Sequence, residues 1–156
     1  MSSLSLQDQF APHNKCFGCG PSNTKGLQIK SFPEPEKDQV ICHFRPSTYH
    51  EAFPGVLSGG IIGTILDCHC NWSAAYSLML SHEESTPPCT VTSFYNIKLL
   101  RPTPSKEILT ITSKLLELKV DRALYKGEII LNNKVYAECV GLFVAVKEGH
   151  PAYHRW

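Results

Sequence analysis

A chain of 156 residues with a formal net charge of +1 and 19% charged residues has room for one domain and little for a second. Its Lys and Arg residues form no run, which excludes a basic nucleic-acid footprint, and no stretch reaches the roughly 18 uncharged apolar residues of a membrane span. Met1 to Phe10 lacks the basic start and apolar middle of a secretory signal, so the cytoplasm is the expected compartment. The seven cysteines agree: the number is odd, several lie in apolar runs, and reduced thiols are expected rather than a disulfide framework.

In chain order, residues 1–26 read as an N-terminal arm, either poorly ordered or a short helix, ending in a Cys/Gly-rich loop. That loop, Cys16-Phe17-Gly18-Cys19-Gly20-Pro21, is dense in turn residues. Residues 27–147 read as the main domain. Leu27 to Phe32 and Gln39 to Arg45 alternate apolar with polar, the period of half-buried strands. Pro46 to Gly55 is a loop. Ser58 to about Leu80 is the one long helical candidate, with Ile61, Ile62, Ile65, Leu66, Trp72, Ala75, Tyr76, Met79 and Leu80 near the helical period. Its single ionised side chain is Asp67, and a helix so apolar around its circumference is buried on most sides. Cys89 to Leu100, Ile108 to Leu115, Leu124 to Leu131 and Val135 to Val146 then read as strands, the last two joined by an Asn132-Asn133 turn. Short connections make these strands antiparallel, so the expected class is α+β, with the helix covered by one curved sheet. Residues 148–156 read as a solvated tail containing His150 and His154.

Gly55-Val56-Leu57-Ser58-Gly59-Gly60 opens the helix, with Ser58 as a suitable N-cap. The first amides of a helix lack internal acceptors and sit at the positive end of its dipole, which suits an oxyanion or polarised carbonyl. Either close approach of a ligand or close passage over a strand accounts for the glycine pair. Asp67 is a poor helix-interior residue flanked by apolar side chains. It is read as a general base or nucleophile, against the alternatives of an exposed stripe or a bond to a local His such as His69. Seven positions separate Gly60 from Asp67, about 10 Å along a helix axis. Two groups that far apart do not converge on one carbonyl, whereas two helices packed antiparallel about a two-fold would bring Gly60 of one chain to Asp67 of the other. The spacing therefore predicts a homodimer with shared sites.

The segment His50-Glu51-Ala52-Phe53-Pro54-Gly55-Val56-Leu57-Ser58-Gly59-Gly60 through Leu66-Asp67 resembles the hot-dog fold acyl-CoA thioesterases, in particular their PaaI-like branch. Asn96 to Arg101-Pro102, Tyr136 to Val144 and the Cys16-Phe17-Gly18-Cys19-Gly20-Pro21 opening are similar to further family elements, so the resemblance runs from about residue 13 to 147. It implies a hot-dog fold, a homodimer that can double into a tetramer, and metal-independent hydrolysis of an acyl-CoA with no cofactor beyond the CoA of the substrate. It assigns Asp67 as base or nucleophile, the Gly60 N–H as the carbonyl-polarising donor, and Ser58, Gly59, His50, Thr92 and Asn71 as substrate-binding residues. Two positions depart from the family pattern. Ser58 stands where a His precedes Gly-Gly, and Ala52 stands where Asn or Gln is common, with His50 and Glu51 near enough to substitute. A non-catalytic acyl-CoA or acyl-carrier binder of the same fold is the rival reading. A hot-dog dehydratase is disfavoured by Ser58, since those enzymes rely on a His.

His13-x-x-Cys16-x-x-Cys19 has the spacing of half a zinc knuckle, but a closed site needs four ligands and the next candidates, Cys42 and His43, sit on an alternating strand, so a turn-rich loop with incidental thiols is expected. In Asp67-Cys68-His69-Cys70 adjacent helical side chains diverge, so the two cysteines are read as packing residues, as are Trp72 and Tyr76.

Overall fold

A computed structural model of the chain describes residues 4–156. The expected long helix is α2, Gly59–Ser81, preceded in the arm by a one-turn helix α1, Leu6–Phe10, whose Ser5 side chain caps the Asp8 amide. The strands are β1 (Phe32–Glu34), β2 (Gln39–Phe44), β3 (Glu51–Phe53), β4 (Val56–Leu57), β5 (Thr90–Leu99), β6 (Leu109–Leu118), β7 (Arg122–Leu131) and β8 (Lys134–Ala145). Six of them form one antiparallel sheet in the order β1-β2-β6-β7-β8-β5. The α+β class is the expected one.

Alternation along the strands builds the core. On β7 every second residue, Ala123 to Ile129, turns inward, and on β8 Ala137, Cys139 and Phe143 do the same. Helix α2 lies across β5 to β8 with Leu66 and Cys70 toward the sheet, and Ile62, Ile65, Leu66 and Trp72 are all buried. At the closest crossing the sheet carries Gly127: a Cβ there would come within 2.6 Å of Cys70 Sγ and 3.2 Å of Leu66 Cδ2. The β7–β8 turn is the expected Asn132-Asn133 pair, both with positive φ (50° and 60°).

Two segments differ from their sequence reading. The strand expected over Leu27 to Phe32 starts only at Phe32. Its backbone groups are taken elsewhere: Leu27 and Ile29 donate to Phe17 and Gly18, the Ser31 carbonyl accepts from Leu6, and Gln28 adopts φ 50°. Residues 27–31 thus pair with the cysteine loop and the arm instead of the sheet. The loop from Pro46 to Gly55 also holds structure of its own, a 3₁₀ turn over Thr48–His50 and the β3–β4 hairpin that delivers the chain to α2.

The tail is docked. His150 and His154 are exposed as expected, but Trp156 stacks on the buried Trp72 with ring centroids 4.5 Å apart and donates its indole N–H to the Pro87 carbonyl at 3.2 Å. An indole placed in water would leave the Trp72 face uncovered, so burial of two large aromatic faces outweighs the polar composition of this segment.

Candidate active site

Asp67 sits in the middle of α2, half-buried, on the side facing β5. The Thr92 hydroxyl of β5 donates to its Oδ1 at 2.5 Å. Burial pushes the Asp67 carboxyl above the usual carboxylate range. The Thr92 hydrogen bond and the nearby Arg155 guanidinium oppose that shift, and negative charge at Cys16 adds to it. The carboxylate is therefore held in position by one donor while kept more basic than an exposed acid. Tyr95, three residues further along the same strand, past a bulge between Thr92 and Phe94, lies against Gly63, and its phenol is raised by burial and by the Asp67 charge. Sequence reasoning missed Tyr95. Strict alternation would set Tyr95 on the face opposite Thr92; the register shift between Thr92 and Phe94, which no local pattern announces, changes that phase.

The helix start keeps its amides open. Ile62 N–H is the first to reach a carbonyl a turn back, at Ser58, 3.0 Å away. The Gly60 N–H precedes that turn and has no protein acceptor among the described residues, and Gly60 itself is exposed. A Cβ at Gly60 would meet only Ser58 Oγ, at 3.7 Å. Ser58 occupies the N-cap position with extended backbone, but its side chain makes no capping hydrogen bond, so its hydroxyl stays uncommitted. Gly59 packs beneath Leu99 of β5, its notional Cβ 3.2 Å from the Leu99 Cδ1.

His50 contributes to this corner through its backbone: its carbonyl accepts from Ser58 N at 2.8 Å. Its ring is used locally, with Nδ1 accepting from the Ser47 amide at 3.1 Å and the ring stacked near Phe44. Asn71 lies one turn beyond Asp67 but is buried. It exchanges hydrogen bonds with Thr90, the Thr90 hydroxyl donating to Asn71 Oδ1 and Asn71 Nδ2 reaching the Thr90 carbonyl at 3.4 Å. The site thus falls into two groups: Asp67, Thr92 and Tyr95 on one side, and Ser58, Gly59 and Gly60 at the helix start. Beside the second group, Ala52, Phe53, Leu57, Ile62, Leu99 and Leu100 line a mostly apolar pocket of about 360 Å³. His69, weighed from the sequence as a partner for Asp67, points away and bonds Ser31 and Val40.

Three thiols also meet. Cys16, Cys19 and Cys68 place their sulfurs within 4.8 Å of one another, on the face of α2 that packs under the cysteine loop. No local pattern marks Cys68 as a partner for the loop pair.

No protein-family model matches the chain. Among curated proteins, acyl-coenzyme A thioesterase THEM4 of Bos taurus is 23% identical over 141 residues, covering 89% of this chain and 54% of that protein. The chain thus spans about half the length of this relative. Among solved structures, a thioesterase superfamily protein from Shewanella loihica superposes with a TM-score of 0.65 at 25% identity, covering 81% of this chain and 98% of that one. The PaaI protein of the E. coli phenylacetic acid degradation operon gives 0.60 at 18% identity, covering 78% and 81%. The thioesterase HI1161 of Haemophilus influenzae gives 0.64 at 18% identity, covering 80% and 84%. The fold is therefore the hot-dog of the thioesterase superfamily. The resemblance drawn from the motifs is borne out at the level of the fold.

Proposed function

We propose that the chain hydrolyses acyl-CoA thioesters as a homodimer, with Asp67 as general base or nucleophile and the Gly60 N–H of the facing protomer polarising the thioester carbonyl. The observation that carries this reading is the pairing on one helix of a half-buried, raised carboxylate anchored by Thr92 with an exposed amide that has no acceptor. They lie about 10 Å apart along the axis, too far to act on one carbonyl from a single helix. Strand β5 supports the dimer: it is an edge of the sheet and exposes Phe94, Tyr95 and Leu99, the kind of edge that a second copy covers. Doubling of that dimer into a dimer of dimers belongs to the same reading. The cytoplasm is the compartment it assigns, in keeping with seven free cysteines; among the described residues no helix is long and apolar enough to cross a membrane.

In the base route, Asp67 takes a proton from water as the oxygen attacks the thioester carbon. The oxyanion is held at Gly60, the carbon–sulfur bond breaks, and the CoA thiolate recovers the proton from the Asp67 carboxyl. In the nucleophile route, the Asp67 carboxylate attacks the thioester carbon and the carbon–sulfur bond breaks, releasing CoA thiolate and leaving a mixed anhydride. Water opens the anhydride to the free acid and the Asp67 carboxylate, and the proton released goes to the CoA thiolate. Single turnover in ¹⁸O-water separates the two, since only the anhydride route can place label in Asp67. No metal or cofactor takes part in either route.

A mixing experiment tests the shared site. Gly60→Pro removes the N–H at a first-turn position that tolerates proline, and Asp67→Asn removes the base. Each homodimer is expected to be inactive toward a panel of acyl-CoAs. Co-refolding the two gives heterodimers in which one of the two sites is intact, restoring about a quarter of wild-type activity at statistical mixing. No recovery on mixing rejects the shared site. Tight acyl-CoA binding by the wild type without CoA release on any chain moves the protein to the non-catalytic binding class.

A further inference from the structure

We infer that Cys16, Cys19 and Cys68 form a binding site for one Zn²⁺ ion that pins the cysteine loop to the central helix. The spacing Cys16-x-x-Cys19 supplies two thiols. The third comes from α2, 52 residues further along the chain, with Cys16 Sγ and Cys68 Sγ 3.8 Å apart. Zinc–thiolate bonds of about 2.3 Å in tetrahedral array place sulfurs about 3.8 Å from each other. All three sulfurs here fall within 4.8 Å, so small rotamer adjustments close the site. A disulfide between Cys16 and Cys68 instead requires the sulfurs to approach to about 2 Å, a larger movement from this geometry.

The surroundings are those of a metal site. The Trp72 indole N–H donates to Cys19 Sγ at 3.3 Å. Such a donor stabilises sulfur that carries thiolate charge and fixes its orientation. Gly18 is what lets the loop come this close: a Cβ there would run into Cys68 Sγ and lie 2.8 Å from Thr64 Cγ2. Cys19 and Cys68 are buried while Cys16 is half-buried, so the fourth position opens toward solvent on the Cys16 side, where water completes the tetrahedron. Three soft sulfur donors with one open position select a zinc-like cation over a hard one such as Mg²⁺. The Asp67 carboxylate is bonded to Thr92 and stands outside the sulfur cluster. The ion is therefore not a ligand of the proposed base and can be bound whether or not that chemistry exists.

The test starts with the wild-type full chain, reduced and stripped with a chelator. Titrated with Zn²⁺ against a chromophoric competitor, it is expected to take up one equivalent per chain. Titrated with Co²⁺, it should show the charge-transfer intensity of three thiolates together with tetrahedral visible bands. Cys16→Ser, at the half-buried ligand, should weaken Zn²⁺ binding by at least about 100-fold, more than the loss of an outer hydrogen bond costs. Cys89→Ser, which lies outside the cluster, should leave binding unchanged. Failure of the wild type to take up Zn²⁺ overturns the proposal, as does a Co²⁺ spectrum without thiolate bands or wild-type affinity in Cys16→Ser. A Cys16–Cys68 disulfide in air, coupled with no metal uptake by the reduced chain, replaces it with a redox pair. The two wild-type titrations need no substitution, so a folding failure of Cys16→Ser does not spare the proposal.

Discussion

Below pH 6.5 the protein should lose stability through one side chain, His69. This imidazole is fully buried on α2. Val40 O, a pure acceptor 3.1 Å from Nε2, fixes the proton on that nitrogen. Nδ1 is then free to accept from the Ser31 hydroxyl at 2.9 Å, and Ser31 Oγ in turn accepts from Gln7 Nε2 at 3.0 Å. The chain of bonds is complete only for the neutral ring, and burial pulls the His69 pKa from 6.5 down to about 4, against the Val40 bond that opposes the shift. An unfolded chain accepts the proton near pH 6.5 while the folded one refuses it until about pH 4, so falling pH favours unfolding across that window. At 1.36 kcal/mol per unit the cumulative loss is about 3 kcal/mol at pH 4, with a slope approaching about 1.4 kcal/mol per pH unit. Urea unfolding of the wild type and of His69→Gln, measured from pH 8 to pH 4, isolates this contribution, because every other titrating group is common to both. The difference between the two curves should be flat above about pH 7 and then close as pH falls. A difference independent of pH would refute the argument. Imidazole NMR of the wild type gives a second reading without substitution: the His69 ring should remain neutral at pH 5.

Asp67→Asn should lower acyl-CoA turnover by about 10²- to 10⁴-fold while leaving the melting temperature close to wild type, measured by CoA release and calorimetry. Trp156→Ala should cost about 1 kcal/mol in aromatic stacking beyond the area lost, and should shift the Trp72 fluorescence to the red as water reaches its ring. Gly18→Ala should destabilise the chain by about 1–3 kcal/mol through overpacking against Cys68 and Thr64, and limited proteolysis should then cut within residues 12–26 first.

The fold was legible because it rests on local pattern. The apolar run from Ser58 fixes α2 to within a residue, and the period-two strands from Cys89 onward fix the sheet. The glycine start and Asp67 were legible because each breaks a propensity rule for its position. What stayed hidden depends on contacts across long separations. Leu27 to Phe32 alternates like a strand, yet its partners turned out to be Phe17, Gly18 and Leu6, which no periodicity encodes. Cys68 reads as packing within its own helix because the loop that meets it lies about fifty residues earlier. Trp156 sits among polar neighbours, and nothing local says that Trp72 leaves a face for it to cover.

Trp72 gathers these distant contacts in one place. Its indole N–H reaches back 53 residues to Cys19, and its ring face waits for a residue 84 positions ahead, at Trp156. Contacts of such long range are slow to form, since the loop they close must be ordered before they stabilise anything. The most distant of them involves residue 156, so during synthesis the helix centre beside Asp67 stays partly wet until that residue has emerged. A stopped-flow trace of tryptophan quenching should therefore lag behind far-UV ellipticity, and the interval between the two would time the final sealing of the core around the site.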